Sequence, residues 1–205
     1  MQGFIIRVQK VRDEDCIVYI LTKQNIIRGY RFYGARHSKI THGYKIDFEL
    51  EESPNFMPRI INTMHLGFKW LLDRNKLFLW QEFLRLFYTH LKDVEDVDSL
   101  YFDVLDECAK KLDKQNAKRL FLEAYIKILK KEGRLHKEKF CFLCDEEIDS
   151  KNIALARAFL PAHENCINKK GFNTLKIDEF FESEKTFNLS DDDVYRLYQI
   201  VLEGF

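Results

Sequence analysis

The chain has 205 residues, long enough for one large domain or two small ones with a sizeable core. Hydrophobic residues make up 46%, aromatics 14% and charged residues 32%, with only 8 Gly and 3 Pro, which excludes collagen-like, mucin-like and low-complexity chains. The 33 Lys and Arg balance 33 Asp and Glu, so net charge says nothing about partners. Apolar runs such as 77–80 fall far short of the roughly 18 residues of a membrane span, and Arg7 and Lys10 interrupt the apolar N-terminus. The expectation is a soluble cytoplasmic protein with no export signal and no membrane partner. Five cysteines, two of them in a Cys-x-x-Cys pair, favour a reducing compartment and a metal site over a disulfide framework.

Charge is segregated along the chain. Residues 1–45 hold 9 basic and 3 acidic side chains, 46–108 hold 6 and 13, 109–139 hold 11 and 4, and 140–205 hold 7 and 13. Such blocks suggest localised anion-binding faces.

The first third reads as strands. Phe4, Ile6 and Val8 alternate with more polar neighbours, Cys16 to Leu21 is apolar throughout, and 26–34 suggests a third strand. Tyr44, Ile46, Phe48 and Leu50 alternate with Lys45, Asp47, Glu49 and Glu51, the period of a strand with one buried face. After the turn residues Ser53, Pro54, Asn55 and Pro58, the run 60–68 is expected to point Met64, Leu66 and Phe68 inward. Five short strands in about 70 residues suggest a small OB-type barrel, a fold that often holds single-stranded nucleic acid.

Between Lys23 and Lys45 there are Lys23, Arg28, Arg31, Arg36, Lys39 and Lys45 and no acid, interleaved with Tyr30, Phe32, Tyr33 and Tyr44. Cations track a phosphate backbone and exposed rings stack on bases. The candidate DNA-binding residues are therefore Arg7, Arg28, Arg31, Arg36, Lys39 and Lys45. The alternative is a solvated charged face over core aromatics, and Tyr44 shares the buried face.

The middle third reads as helices. Leu77, Trp80, Phe83, Leu84, Phe87 and Leu91 recur at spacings of three and four over 75–92, and the pattern repeats over 99–112 and over 116–131, which Gly133 terminates. Trp70 and Trp80 read as packing residues. Lys111, Lys114 and Lys118 fall at i, i+3 and i+7 on one expected helix face, with Arg119 beside them, and form a candidate partner-binding patch. Ser190 followed by three aspartates reads as the capped start of a last helix.

Cys141-x2-Cys144 and His163-x2-Cys166 are two ligand pairs separated by 18 residues. Two thiolate or imidazole pairs on tight turns close a four-ligand shell with no open position, which suits a structural zinc ion rather than a catalytic one. A deaminase would carry its His-x-Glu ahead of the Cys pair. No nucleophile elbow, Walker loop or kinase signature is present, so the chain is not expected to be an enzyme.

A strand-rich N-terminus with Gly34-Ala35-Arg36-x-x-Lys39, a helix carrying Phe121-Leu122-Glu123 and Leu129 and ending at Gly133, then Cys141-x-x-Cys144, resembles in its order the bacterial recombination mediator family RecO, over nearly the whole chain. The resemblance implies an α+β protein: an OB barrel over 1–73, then a helical bundle over 74–205 with an inserted structural zinc site at 140–170. It further implies a DNA repair and recombination mediator that binds single- and double-stranded DNA and anneals strands. Its implied partners are RecR and the C-terminal tail of single-strand-binding protein, and it helps load RecA. The chain is short for the family, and His163 stands where a third Cys is usual. A zinc-stabilised OB-fold adaptor binding protein or RNA is the alternative.

Overall fold

In the computed structural model, which describes residues 1–12, 14–36, 39–94 and 96–205, the N-terminal alternation is realised as a closed barrel. Its strands are β1 (Gln2–Lys10), β2 (Cys16–Leu21), β3 (Ile26–Arg31), β4 (Lys45–Ser53) and β5 (Phe56–His65), in the order β1-β2-β3-β5-β4. The β3–β5 pairing is parallel and the others are antiparallel. Ile5, Val18, Ile20, Ile46, Phe48 and Ile60 fill the interior, each flanked along its strand by residues of the outer face. This is the OB-type barrel that five short alternating strands require.

Two details depart from the sequence reading. The third strand ends at Arg31, because Tyr33 takes a left-handed φ of 52° and Gly34–Arg36 coil into a 3-10 turn. In β5 the inward residue is Ile60, while Met64 is 55% exposed. Asn62, at φ 47°, inserts a bulge where the β4–β5 register shifts, and that extra residue reverses the side-chain phase beyond it.

Two helices complete the first compact unit, Met1–Lys114. They are α1 (Arg74–Leu91), capped by the Asp73 carboxylate, and α2 (Ser99–Lys111), capped by Asp98. Their apolar stripes meet the barrel through Phe4, whose ring lies 5.8 Å from Trp80 and 5.5 Å from Phe102. Trp80 donates its indole N–H to the Gly43 carbonyl at 2.8 Å, and Trp70 donates to Ala109 at 2.7 Å, so both indoles are buried and satisfied. Gly43 has φ +93°, and a Cβ there would sit 3.1 Å from the Trp80 ring. The sequence boundary at 73/74 thus falls inside this unit: the strands end near it, but the two helices that bury the barrel's Phe4 side belong with the barrel.

The second unit, Gln115–Phe205, contains α3 (Ala117–Lys131), β6 (Asn152–Leu155), β7 (Pro161–Ala162), α4 (Glu164–Ile167), β8 (Phe172–Asn173), α5 (Thr174–Ser183) and α6 (Asp191–Leu202). The short strands form an antiparallel sheet in the order β7-β6-β8. Gly133, at φ 67°, ends α3 as expected, and Arg134 donates back to the Leu129 carbonyl. Ser190 and Asp193 form a reciprocal capping box at α6. Tyr125 organises the core, stacked on Phe205 at 4.7 Å and edge-on to Phe159 at 5.2 Å. Burial pushes its phenol well above the usual range. Among the described residues no helix is long and apolar enough to cross a membrane.

Candidate nucleic-acid interface and metal centre

Strand pairing decides which cations face outward. Arg7 of β1 lies opposite Tyr19 of β2, which lies opposite Arg28 of β3, so these three form one row on the outer face. Tyr88 of α1 joins them: its ring is edge-on to Tyr19 at 5.0 Å, and the Arg7 guanidinium sits 4.6 Å above it. Two residues along β3, Tyr30 lies opposite Arg59 of β5. Arg59 covers the Phe32 ring at 4.9 Å, and Phe32 is edge-on to Tyr30 at 5.0 Å. Phe32 and Tyr33 remain 45% and 59% exposed. The result is a strip of alternating guanidinium and ring groups across β1, β2, β3 and β5.

The loop beyond β3 is latched to this strip. The Asp15 carboxylate accepts from the Tyr30 hydroxyl at 2.7 Å and from the Tyr33 N–H at 2.8 Å, and these two bonds hold it below the usual carboxylate range. Ala35 N–H donates to the Glu14 carbonyl, and Arg36 pairs with the Glu14 carboxylate.

The six cations singled out from the sequence therefore do not form one surface. Arg7 and Arg28 are exposed in the outer row, and Lys39 is exposed in the loop before β4. Arg31 is opposite Cys16, an interior position, and its guanidinium turns to the Ile60 carbonyl at 2.7 Å. Arg36 is bound to Glu14. Lys45 lies in a half-buried ion pair with Asp106 at 2.7 Å, the two side chains 11% and 16% exposed. Tyr19, Arg59 and Tyr88 carry no such signal in the sequence: Arg59 stands in an acidic block, strand register alone places Tyr19 opposite Arg28 and Arg59 opposite Tyr30, and Tyr88 joins from α1 through its contacts with Tyr19 and Arg7.

The candidate partner patch is divided by the chain's own punctuation. Helix α2 ends at Lys111, Lys114 lies in the connecting turn, and α3 starts at Ala117 under the Asn116 cap, so Lys111, Lys114 and Lys118 do not share a helix face. Lys111 pairs with Glu107 in the preceding turn. Lys118 sits 4.4 Å above the Tyr195 ring, and Arg119 binds the Thr186 and Leu189 carbonyls and the Asp191 carboxylate.

The four metal-ligand candidates converge from two turns. In the first, Cys141 N–H donates to the Glu146 carbonyl, Asp145 N–H donates to the Cys141 carbonyl, and Asp145 reverses the chain at φ 57°. In the second, His163 leaves β7 and opens α4, which carries Cys166. Donor atoms of Cys141, Cys144, His163 and Cys166 all lie within 4.8 Å of one another. A tetrahedral ion with bonds of about 2.3 Å to sulfur and about 2.0 Å to nitrogen separates sulfurs by about 3.8 Å and sulfur from nitrogen by about 3.5 Å. The Cys144 and Cys166 sulfurs are 3.9 Å apart, and His163 Nδ1 is 3.4 and 3.8 Å from them. His163 Nε2 lies 3.2 Å from the Glu147 carbonyl, an arrangement that puts the proton on Nε2 and leaves Nδ1 free to ligate. Burial raises the Cys141 thiol, but N–H groups of His163, Leu143 and Cys144 outweigh it and bring the thiol to about 6; Cys166 is pushed up to about 11 by desolvation and then by its two neighbouring thiols. The Cys141 thiolate thus forms readily, and with the converging donor atoms the set could hold a metal ion.

The family model described as RecO N terminal matches residues 1–71, the span that contains the whole barrel. A comparison with curated proteins returned no match. The barrel's strand order agrees with this match, so residues 1–71 are similar to the N-terminal domain of the RecO family of DNA repair and recombination proteins.

Proposed function

We propose that this chain is a non-enzymatic DNA-binding and strand-annealing mediator that acts in the cytoplasm on single- and double-stranded DNA. The observation that carries this reading is the outer strip Arg7–Tyr19–Arg28 with Tyr30, Arg59 and Phe32. The Arg7 and Arg28 guanidinium groups suit phosphates, Arg59 being paired with Glu51 at 3.1 Å, and the rings suit stacking without sequence readout. Lys39 is a further exposed cation in the loop before β4, while Arg31, Arg36 and Lys45 hold the barrel and its loop in shape. A cationic face lowers the repulsion between two polyanions and so favours pairing of complementary strands without ATP.

The finer steps follow from the resemblance: with RecR, the protein gives RecA access to strands coated by single-strand-binding protein, whose acidic tail docks on a basic part of the chain. Zinc is the ion that the three-thiolate, one-imidazole set fits best. Cys141, Cys144, His163 and Cys166 would hold it, and it would stabilise the two turns without taking part in a reaction.

Annealing of complementary oligonucleotides, naked and coated with single-strand-binding protein, tests the proposal. The expected result is acceleration of both at low salt without nucleotide cofactor. Binding to DNA with acceleration of neither would replace this reading with that of an adaptor.

A further inference from the structure

The second unit carries a cavity of about 280 Å³ that the barrel's function does not use. Leu155, Phe172 and Ile200, all nearly fully buried, give it apolar walls, and Lys169, Lys170 and Arg196 give it cations. Among these, Lys169 pairs with Glu203 at 2.9 Å, whereas the Lys170 ammonium makes no ion pair among the described residues. The Arg196 guanidinium carbon sits 4.1 Å from the Phe172 ring centroid, with Nη2 hydrogens directed to the Lys170 and Gly171 carbonyls and Nη1 3.8 Å from the Asp193 carboxylate.

We infer that this cavity takes one nucleotide of single-stranded DNA, an inference that rests on the DNA-binding reading above. Arg196 is already occupied along its donor edge, so no free fork remains for bidentate capture of a carboxylate. Its side chain keeps 23% of its surface exposed, and a base can stack on the part that Phe172 does not cover. The exposed Gln199 amide lines the same cavity and offers both a donor and an acceptor, which matches a base edge. Lys169 and Lys170 then meet the flanking phosphates as point charges. Together with the barrel strip this gives the chain two single-strand contacts, one in each unit.

The metal turn sets the cavity's rim. Glu164, between ligands His163 and Cys166, accepts the Gly171 N–H at 2.6 Å on its carboxylate and the Lys169 N–H at 3.2 Å on its carbonyl. A Cβ at Gly171 would sit 3.0 Å from that carboxylate oxygen and from the Ile153 carbonyl, so a side chain there would push on both. Loss of the ion should therefore loosen the cation-bearing loop.

The test is photocrosslinking of the full chain to a single-stranded oligonucleotide containing 5-iododeoxyuridine, with crosslinked peptides mapped by mass spectrometry, alongside affinity across a salt series. Crosslinks are expected within 169–172 or 196–200, to fall about tenfold in the double variant Lys169→Gln, Lys170→Gln and after metal removal by chelator. The log–log salt slope should become shallower by about 1.4, two single-strand phosphate contacts. Lys151→Gln, which removes one charge elsewhere in the unit, should alter neither. Crosslinks confined to the barrel with an unchanged slope overturn the inference and leave the barrel reading standing. Binding of a short acidic peptide ending in phenylalanine, in the absence of any crosslink here, also overturns it. Failure of the wild-type chain to bind the strand at low salt overturns both.

Discussion

Replacing Lys45 separates two roles for one cation. In sequence it belongs to the acid-free run and reads as a DNA contact, whereas in the structure its ammonium is held against one Asp106 oxygen at 2.7 Å, with both side chains largely buried. Lys110 occupies the other oxygen at 2.6 Å. Breaking a buried pair outright costs about 3–5 kcal/mol, but Lys45→Met keeps the aliphatic stem and leaves Lys110 on the carboxylate. The expected loss is that of one charge-assisted hydrogen bond, about 1.5–3 kcal/mol. Asp106→Asn should cost more, because it strands the Lys45 ammonium beside the Phe4 and Phe102 rings, 5.6 and 5.3 Å away. Lys110 is 68% exposed, and Lys110→Met should cost less than about 1 kcal/mol. Urea unfolding followed by tryptophan fluorescence reads the right unit, since both tryptophans lie within Met1–Lys114. The pair also predicts a pH signature. Burial alone would raise the Asp106 carboxyl, but bonds to Lys110 and Lys45 hold it below its usual range. Its contribution is therefore complete above about pH 4 and is lost as pH falls through the depressed folded value. An unchanged unfolding midpoint in Lys45→Met, together with a flattened salt dependence of DNA binding, would refute this assignment and return Lys45 to the DNA surface.

Metal analysis of protein never exposed to chelator should give about one zinc per chain; Cys144→Ser should lower metal content and the stability of the second unit, while His163→Cys should retain the ion, because either side chain completes a tetrahedral shell. Asp15→Ala removes the acceptor that holds the Tyr30 hydroxyl and the Tyr33 N–H, so proteolysis within 32–44 should accelerate and DNA affinity should fall several-fold with little change in the global unfolding midpoint. Ser190→Ala removes the capping box of α6 and should destabilise the second unit by about 1 kcal/mol, measured by thermal unfolding.

Much of this architecture is legible in the sequence because it rests on local periodicity. The alternation of Ile46 and Phe48 with acids fixes β4, the three helical stripes appear within a residue or two of their observed ends, and Ser190 and Gly133 mark their boundaries as written. The four candidate metal ligands are legible for a related reason: each pair is a short-range spacing, and the structure had only to bring two turns together. The proposed DNA face is not local. Whether a strand residue points in or out depends on register, so Arg28 and Arg31, three apart in one basic run, end on opposite sides of β3. A bulge at Asn62 reverses the phase of β5 beyond it and turns Met64 outward, while Arg59, ahead of the bulge, is passed over because it stands in an acidic block. Lys111, Lys114 and Lys118 share no helix face because the end of α2 and the Asn116 cap of α3 fall between them. Helix α5 goes unread because its short stripe, Ile177, Phe180 and Phe181, is flanked by acids that look like solvated loop.

The central claim, that the barrel's outer strip is the single-strand interface, is tested most directly by measuring affinity for an oligothymidylate across a salt series with Arg7→Gln, Arg28→Gln in the full chain. Two lost phosphate contacts should weaken binding at low salt and make the log–log slope shallower by about 1.4, with unfolding midpoints unchanged because both side chains are exposed. A variant that binds with wild-type affinity and slope would contradict the account and move the interface off this face of the barrel.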